Sequence, residues 1–445
     1  MANNPSLSEY LSQSQRGLYQ SVFGPEYLMK QTYFTVDTAT GIFNTTYGRK
    51  VWQALNNQTR FFNAIPRVVW GNTAGWRVRT DRGSGRSRPV TETGSLPTVD
   101  ISNIETVSSL PRIVSTTFGA SVKSVFTAQL EGGVGDVLAL ENENAQLDHV
   151  KEINEELLAG SAYIASAGAS TTFTVPAAIA KNFKVGDAVS TNDGGTMGRT
   201  SGSVISAVNT SSGVVTMATG TAVADGDLMT IFSRAGITSI DDVVAEDGMS
   251  VGGATNGAEV RAYDLTQSGR VAGDWNAAAY ANFNSGTGRD LSLTLLDTAI
   301  QKIRENGGEP KLILLGHDQY FKLERILNSQ QRYMGQEEYQ VGVGSERTFP
   351  GTRTGLVLAT YQGIPILPDA DVPKSVSSAD AVLGSNVYVL DTDYIEMAVA
   401  QPTQYVENRD YFAANALVVR GLLYTMGEMR VKNIFTQAKI GDLTS

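Results

Sequence analysis

Cysteine is absent from the 445 residues, and histidine occurs only twice, as His149 and His317. The first absence excludes disulfides, thiolate metal sites and cysteine nucleophiles. The second excludes a multi-histidine metal cage and leaves little for histidine-based catalysis. No apolar run approaches the ~20 residues of a membrane-spanning helix. The opening MANNPSLSEY lacks the basic-then-apolar layout of a signal peptide. Bases are outnumbered, 35 Lys and Arg against 45 Asp and Glu, which argues against a surface that grips nucleic acid throughout. The expectation is a soluble cytoplasmic chain, without membrane contact, cofactor, metal or enzymatic activity.

Other partial motifs lead nowhere chemical. Gly83-Ser84-Gly85 starts like a dinucleotide fingerprint but lacks a third glycine, a helix and a downstream acid. Asp369-x-Asp371 and Asp391-x-Asp393 lack the other oxygen ligands of a cation loop and read as turn aspartates. His149 reads as a solvated helix-face residue beside Glu152 and Glu156, and His317 as part of a cap. No Gly-x-Ser-x-Gly element exists to support a nucleophilic triad.

Charge is unevenly placed. Residues 1–130 hold 13 bases and 7 acids, a net of +6, and residues 131–445 hold 22 and 38, a net of −16. Within a Debye length of ~8 Å such excesses attract, so the first part is expected to lie on the second, in the same subunit or a neighbour.

Along the chain, residues 1–65 read as an extended arm with short helices near 8–18 and 49–57. Val68–Trp70 and Trp76–Arg79 read as a hairpin joined by GNTAG. A polar loop of about twenty residues follows, long for a compact domain. This region carries Arg77, Arg79, Arg82, Arg86 and Arg88 and no lysine. Strand-type alternation resumes over 104–125. Residues 136–159 read as a long helix capped by Asp136, with an apolar stripe of Val137, Leu140, Leu147, Val150, Ile153 and Leu157. From 131 to 160 there are eight acids and one lysine. Residues 165–235 read as a small all-β barrel or sandwich inserted into a host fold, with KVGDAV and ADGDLM as an internal echo. Mixed α/β follows: helices at 292–305 and 317–327, a polar loop at 330–354, and strands at 311–315, 363–367, 387–390, 395–399, 416–424 and 429–435.

The arginine cluster admits nucleic-acid contact, a solvated charge run, or docking on carboxylates of another subunit through bidentate guanidinium pairing. We favour docking, with Glu141, Glu143, Glu152, Glu155 and Glu156 of the acidic helix as counterparts and Trp70, Trp76, Phe61 and Phe62 as apolar anchors.

This order of elements resembles the major capsid proteins of tailed phages and related archaeal viruses, the Hong Kong 97 type fold, an α+β class. The phrases KLILLGHDQYFKLERIL, YQGIPILPDADVP and GLLYTMGEMRVKNIFTQAKIG carry the likeness. The resemblance implies an N-terminal arm (1–65), an extended loop (66–115), a peripheral domain with a spine helix (116–164), a β-rich insertion domain (165–235), an axial domain (236–400) and closing peripheral strands (401–445). It implies self-assembly as hexamers and pentamers into an icosahedral virion shell around double-stranded DNA, without sequence-specific DNA binding. Portal, scaffold and decoration proteins are the further partners it implies. Some members weld their shells by Lys–Asn isopeptide bonds from the extended loop. Here no lysine lies between Lys50 and Lys123, so latching by loop and arm is expected to be non-covalent. The alternatives are a tail sheath or tube component, a surface-layer protein, or an enzyme with an accessory β domain.

Overall fold

The computed structural model describes residues 59–71, 75–81, 87, 89–97, 99, 101–128, 136–166, 171–193, 196–219, 223–246, 250–251, 254–255, 262–265, 270–328, 335–340, 348–353, 360–377, 381–409 and 417–445. The short helices expected near 8–18 and 49–57, and Arg82, Arg86 and Arg88, lie outside these residues.

Among the described residues the longest helix is Val137–Leu158. Asp136 caps it, its Oδ1 accepting from the Leu138 and Ala139 amides at 3.0 and 3.1 Å, which satisfies two donors that the first turn leaves open. Of the expected stripe, Val137, Ile153 and Leu157 are buried and Leu140 and Val150 half-buried. Ala145, His149, Ile153 and Leu157, each four apart, face inward, and Leu147 faces solvent. His149 is therefore not a solvated helix-face residue: it is 1% exposed. Its place in the i, i+4 register carries it inward, where two hydroxyls satisfy its ring.

One expected strand pairing is corrected. Arg67–Val69 and Gly75–Arg79 do not pair with each other. The first runs parallel to 397–399 (Arg67 opposite Met397) and the second antiparallel to Ile104–Ser108. Five residues between Trp70 and Trp76 exceed the two-residue turn that fixes a tight hairpin, and the partner edges come from distant sequence. The alternation over 104–125 ends early: Arg112–Ser121 is a strand and Val122–Ala128 a helix. The polar 330–354 stretch contains the strands Gly335–Gln340 and Thr348–Arg353, paired antiparallel. The expected 416–424 and 429–435 strands form one strand, Val418–Val431, because Gly427 stays extended and lets the ladder continue. A four-stranded sheet runs in the order Arg67–Val69, Ile395–Asn408, Val418–Val431, Arg112–Ser121.

The chain divides into two compact units. One includes Ile113–Glu152 and Gln401–Met426. In it Thr116 Oγ1 lies 3.0 Å from His149 Nδ1 and Thr425 Oγ1 2.7 Å from Nε2, with Thr403 Oγ1 2.8 Å further along. Burial holds the imidazole below its usual pKa. Phe118 stacks on Tyr405 at 6.0 Å over Gly421, where any side chain would overlap the Phe118 ring.

The other unit holds Gln58–Arg112, Ile153–Ala400 and Gly427–Ser445. Two six-stranded sheets organise it. The first is built from residues 162–233, in the order 162–164, 228–233, 188–193, 196–209, 214–217, 172–174. Phe173, Phe183, Val189, Ile205, Leu228 and Ile231 are buried there. The sequence echo has a common geometry. Asp187 Oδ2 accepts from the Lys184 amide at 3.1 Å and Asp227 Oδ2 from the Ala224 amide at 2.7 Å. Gly186 and Gly226 both take φ near +90° (97° and 86°), where a β-carbon would be strained. Each turn feeds a strand, and the two strands pair with each other. Arg234 grips the chain where it enters and leaves this sheet: Nη2 reaches the Ala159 and Gly160 carbonyls at 3.0 and 2.8 Å, and Nε meets Asp242 at 2.5 Å.

The second sheet runs Tyr280–Asn282, Ala438–Ile440, Val387–Leu390, Leu312–Leu315, Ile364–Pro368, Thr360–Tyr361. Leu296, Ala299, Ile300 and Ile303 of helix Leu293–Glu305, capped by Ser292, pack on it with Leu323 of helix His317–Asn328. The late strand Ala438–Ile440 lies between strands that precede it by about 50 and 160 residues, parallel to one and antiparallel to the other.

Candidate functional site

The strand Gly75–Arg79 leads out along the extended hairpin and Ile104–Ser108 returns, with Trp76 opposite Val107, Arg77 opposite Thr106 and Arg79 opposite Ile104. Alternation separates the strand's faces. Arg77 and Arg79 are exposed on one, while Trp76 and Val78 are half-buried on the other. Gly75 is required at the base, because a β-carbon there would overlap the Val107 carbonyl.

Residues the sequence did not single out fix this base. Tyr263 meets Trp76 edge-on, centroids 5.0 Å apart. Its hydroxyl donates to the Met429 carbonyl at 2.8 Å and accepts from the Val431 amide at 3.0 Å. Asp264 Oδ1 accepts from the Ser108 amide at 3.1 Å. Tyr263 holds φ at +60°, a conformation costing roughly 1–2 kcal/mol for a residue with a side chain. Its bonds must offset that cost. Nothing local in the sequence marks Tyr263 or Asp264, since their partners are more than 150 residues away.

Beside the strand lies a cavity of about 510 Å³ lined by Trp76 to Thr80, Gly273, Trp275, Tyr394, Lys432, Asn433 and Phe435. Among the described residues no acid lines it, and three cations do, Arg77, Arg79 and Lys432. Lys432 is paired with Glu396 at 2.7 Å. The Trp76 indole N–H is buried without an acceptor among the described residues. Further along the same unit, Glu428 accepts from the Thr238 amide at 2.7 Å and lies 3.7 Å from Arg112. Burial pushes its carboxyl up to about 8.

The sequence-derived residues are distributed as follows. Arg77 and Arg79 line the cavity. Trp70 lies under Arg430, whose guanidinium carbon is 3.8 Å from the ring centroid, and its amide donates to Val399. Phe61 is fully buried, its amide held by Asp369, and Phe62 packs under Arg67. These aromatics are engaged within their own chain. Glu155 is paired with Lys184 at 3.7 Å and Glu156 accepts from the Ile237 amide at 2.9 Å. Glu143 is exposed, while Glu141 and Glu152 are half-buried, and burial with the nearby Asp148 raises the Glu141 carboxyl. Among the described residues no group of three or more His, Asp or Glu could hold a metal ion.

Among the described residues, three of the four most exposed large apolar side chains lie on the return limb, the fourth being Val69. Leu96, Val99 and Ile101 are 80, 99 and 84% exposed. Composition concealed this, because these residues are scattered among Gly, Ser, Thr and Pro.

A family profile for the SU10 major capsid protein matches residues 30–444. Among solved structures the chain is similar to one in the cyanophage A-1(L) capsid asymmetric unit, with 13% identity and a TM-score of 0.53 over 89% of this chain and 96% of that one. It is more weakly similar to the capsid of a native GTA particle (11% identity, TM-score 0.45, 96% and 99% covered) and to a chain of Gordonia phage Cozz (10%, 0.44, 94% and 94%). No curated protein sequence matches. The fold is α+β of the Hong Kong 97 type, and the chain belongs to the SU10 major capsid protein family, the proteins that form the virion's capsid shell.

Proposed function

We propose that copies of this chain close into hexamers and pentamers and that these build an icosahedral shell held by non-covalent contacts of the extended hairpin and the N-terminal arm. The observation that carries this reading is the hairpin itself. Its return limb displays Leu96, Val99 and Ile101 to solvent and its outgoing strand displays Arg77 and Arg79, a surface that a chain acting alone has no use for. Glu141, Glu143, Glu152, Glu155 and Glu156 are the helix carboxylates proposed to meet neighbouring arginines, and Glu155 and Glu156 also hold partners in their own chain.

In this reading residues 1–65 are the arm, 66–115 the extended loop, 116–164 the peripheral domain with its spine helix, 165–235 an insertion domain, 236–400 the axial domain and 401–445 the closing strands. The Arg234 clamp across Ala159 and Gly160 supports the insertion, because it joins the two ends of the β block. Portal, scaffold and decoration proteins are the partners, and DNA is enclosed without sequence-specific binding. The role is structural, without catalysis.

Negative-stain electron microscopy of the expressed protein tests this. Closed polyhedral particles are expected, and replacing Arg77, Arg79, Arg82, Arg86 and Arg88 with Ser should abolish them. Filaments, or only small oligomers in the presence of viral partners, would overturn it.

A further inference from the structure

The cavity beside Gly75–Arg79 has an unusual lining. Five consecutive residues, Trp76 to Thr80, contribute to it, and none of Ile104–Ser108 does. A strand that lines a cavity with residues of both faces presents its edge, and this edge is the one turned away from the return strand. It therefore carries backbone donors and acceptors that the hairpin ladder does not use. Trp275, Tyr394 and Phe435 also line the cavity, an aromatic wall. The site is a slot for an extended chain, with apolar character on the Trp76 and Val78 side and positive charge on the Arg77 and Arg79 side.

The two limbs of the loop are charged to match such a slot. Residues 66–88 hold six arginines and one aspartate, a net of +5, whereas residues 89–111 hold Glu92, Asp100 and Glu105 and no base, a net of −3. Within the return limb, Val99-Asp100-Ile101 alternates apolar, acidic, apolar. In an added strand Val99 and Ile101 share one face and Asp100 takes the other. That matches Trp76 and Val78 on one face and Arg77 and Arg79 on the other. The chain's own segment does not fill its own slot, for Val99 is 99% and Ile101 84% exposed.

Resting on the proposed hairpin docking, we infer that the slot along the outgoing strand receives residues 99–103 of a second copy of this chain, added to the free edge as a third strand. Backbone pairing supplies affinity, and the apolar–acidic–apolar order sets register. The contact is head-to-tail, so copies joined by it close into a ring when the rotation between them permits. A symmetric dimer does not satisfy it.

The absence of cysteine makes the test direct. A Thr80→Cys, Val99→Cys double variant, oxidised or treated with a short bismaleimide, should give a non-reducing ladder rising to the capsomer size. A mixture of the two single variants should give cross-linked pairs only. Charge reversal provides a second readout that does not depend on linker reach. Arg77→Asp with Arg79→Asp, and Asp100→Arg alone, should each cut particle yield about tenfold, and the triple variant should recover most of it. Particles that form without any cross-link, or a triple variant no better than its parents, would overturn the slot. Cross-linked rings that never form closed particles would support the slot and overturn the shell reading instead.

Discussion

At the scale of single residues the most consequential group is Glu428. It sits 2% exposed, with two backbone amides and the distant Arg112 guanidinium as its stabilising partners, and its carboxyl is raised from 4.5 to about 8. Below pH 4.5 the group is protonated in both folded and unfolded chains. Between 4.5 and about 8 the unfolded chain releases its proton and the folded chain keeps it, so stability falls as pH rises, by an amount on the order of a few kcal/mol. Glu428→Gln should flatten this decline, leaving a variant near the parent at pH 4.5 and more stable at pH 8.5. Urea unfolding midpoints across that range measure it, and an unchanged slope would sink the assignment. His149 titrates against this trend. Its neutral form is favoured by burial, so its contribution is present above about 6.5 and is lost as pH falls below that.

At the scale of elements the extended hairpin depends on one side chain that spans three segments. Tyr263 joins Trp76 to the Met429–Val431 backbone through ring and hydroxyl. Removing the hydroxyl with Tyr263→Phe should cost about 1 kcal/mol, and Tyr263→Ala should also remove the ring contact. Hydrogen exchange of the amides in 75–79 and 104–108 should rise about fivefold in the first and well over tenfold in the second, with the 312–315 strand unchanged. Equal protection in all three proteins would show that the hairpin needs no such tie.

Elements differ in how much of them could be read in advance. The Asp136-capped helix, the Leu293–Glu305 helix and the Val387–Leu390 strand were legible because cap, period and apolar run are local signals. The partners of Arg67–Val69 were not, because strand pairing is decided by edges that the sequence separates by some 330 residues. His149 shows the same limit within a helix. The charges around it suggested solvent, but its register with Ala145 and Ile153 outweighed them. At the candidate site Arg77 and Arg79 were visible as a charge cluster. The aromatic wall was not, since Trp275, Tyr394 and Phe435 come from three distant segments.

At the scale of the whole molecule, charge asymmetry makes assembly sensitive to salt. A contact between the basic outgoing limb and acidic surface weakens as the screening length falls from ~8 Å at physiological salt to ~3 Å at 1 M, while burial of Val99 and Ile101 does not. Particle yield should therefore decline with added sodium chloride without vanishing, and Arg77→Ser with Arg79→Ser should make the remaining yield nearly independent of salt. Light scattering over a salt series reads both slopes, and a parent protein indifferent to salt would remove electrostatics from the account. The second six-stranded sheet adds a constraint of a different kind, one of timing. Tyr280–Asn282 and Val387–Leu390 are separated by the strand Ala438–Ile440, so on a growing chain both wait with open edges until residues 438–440 have left the ribosome. The β block of 162–233 has no such delay. A nascent chain thus carries a finished sheet and an unfinished one side by side in time, and its interval of greatest risk for misassociation with sister chains ends only when that late strand is in place.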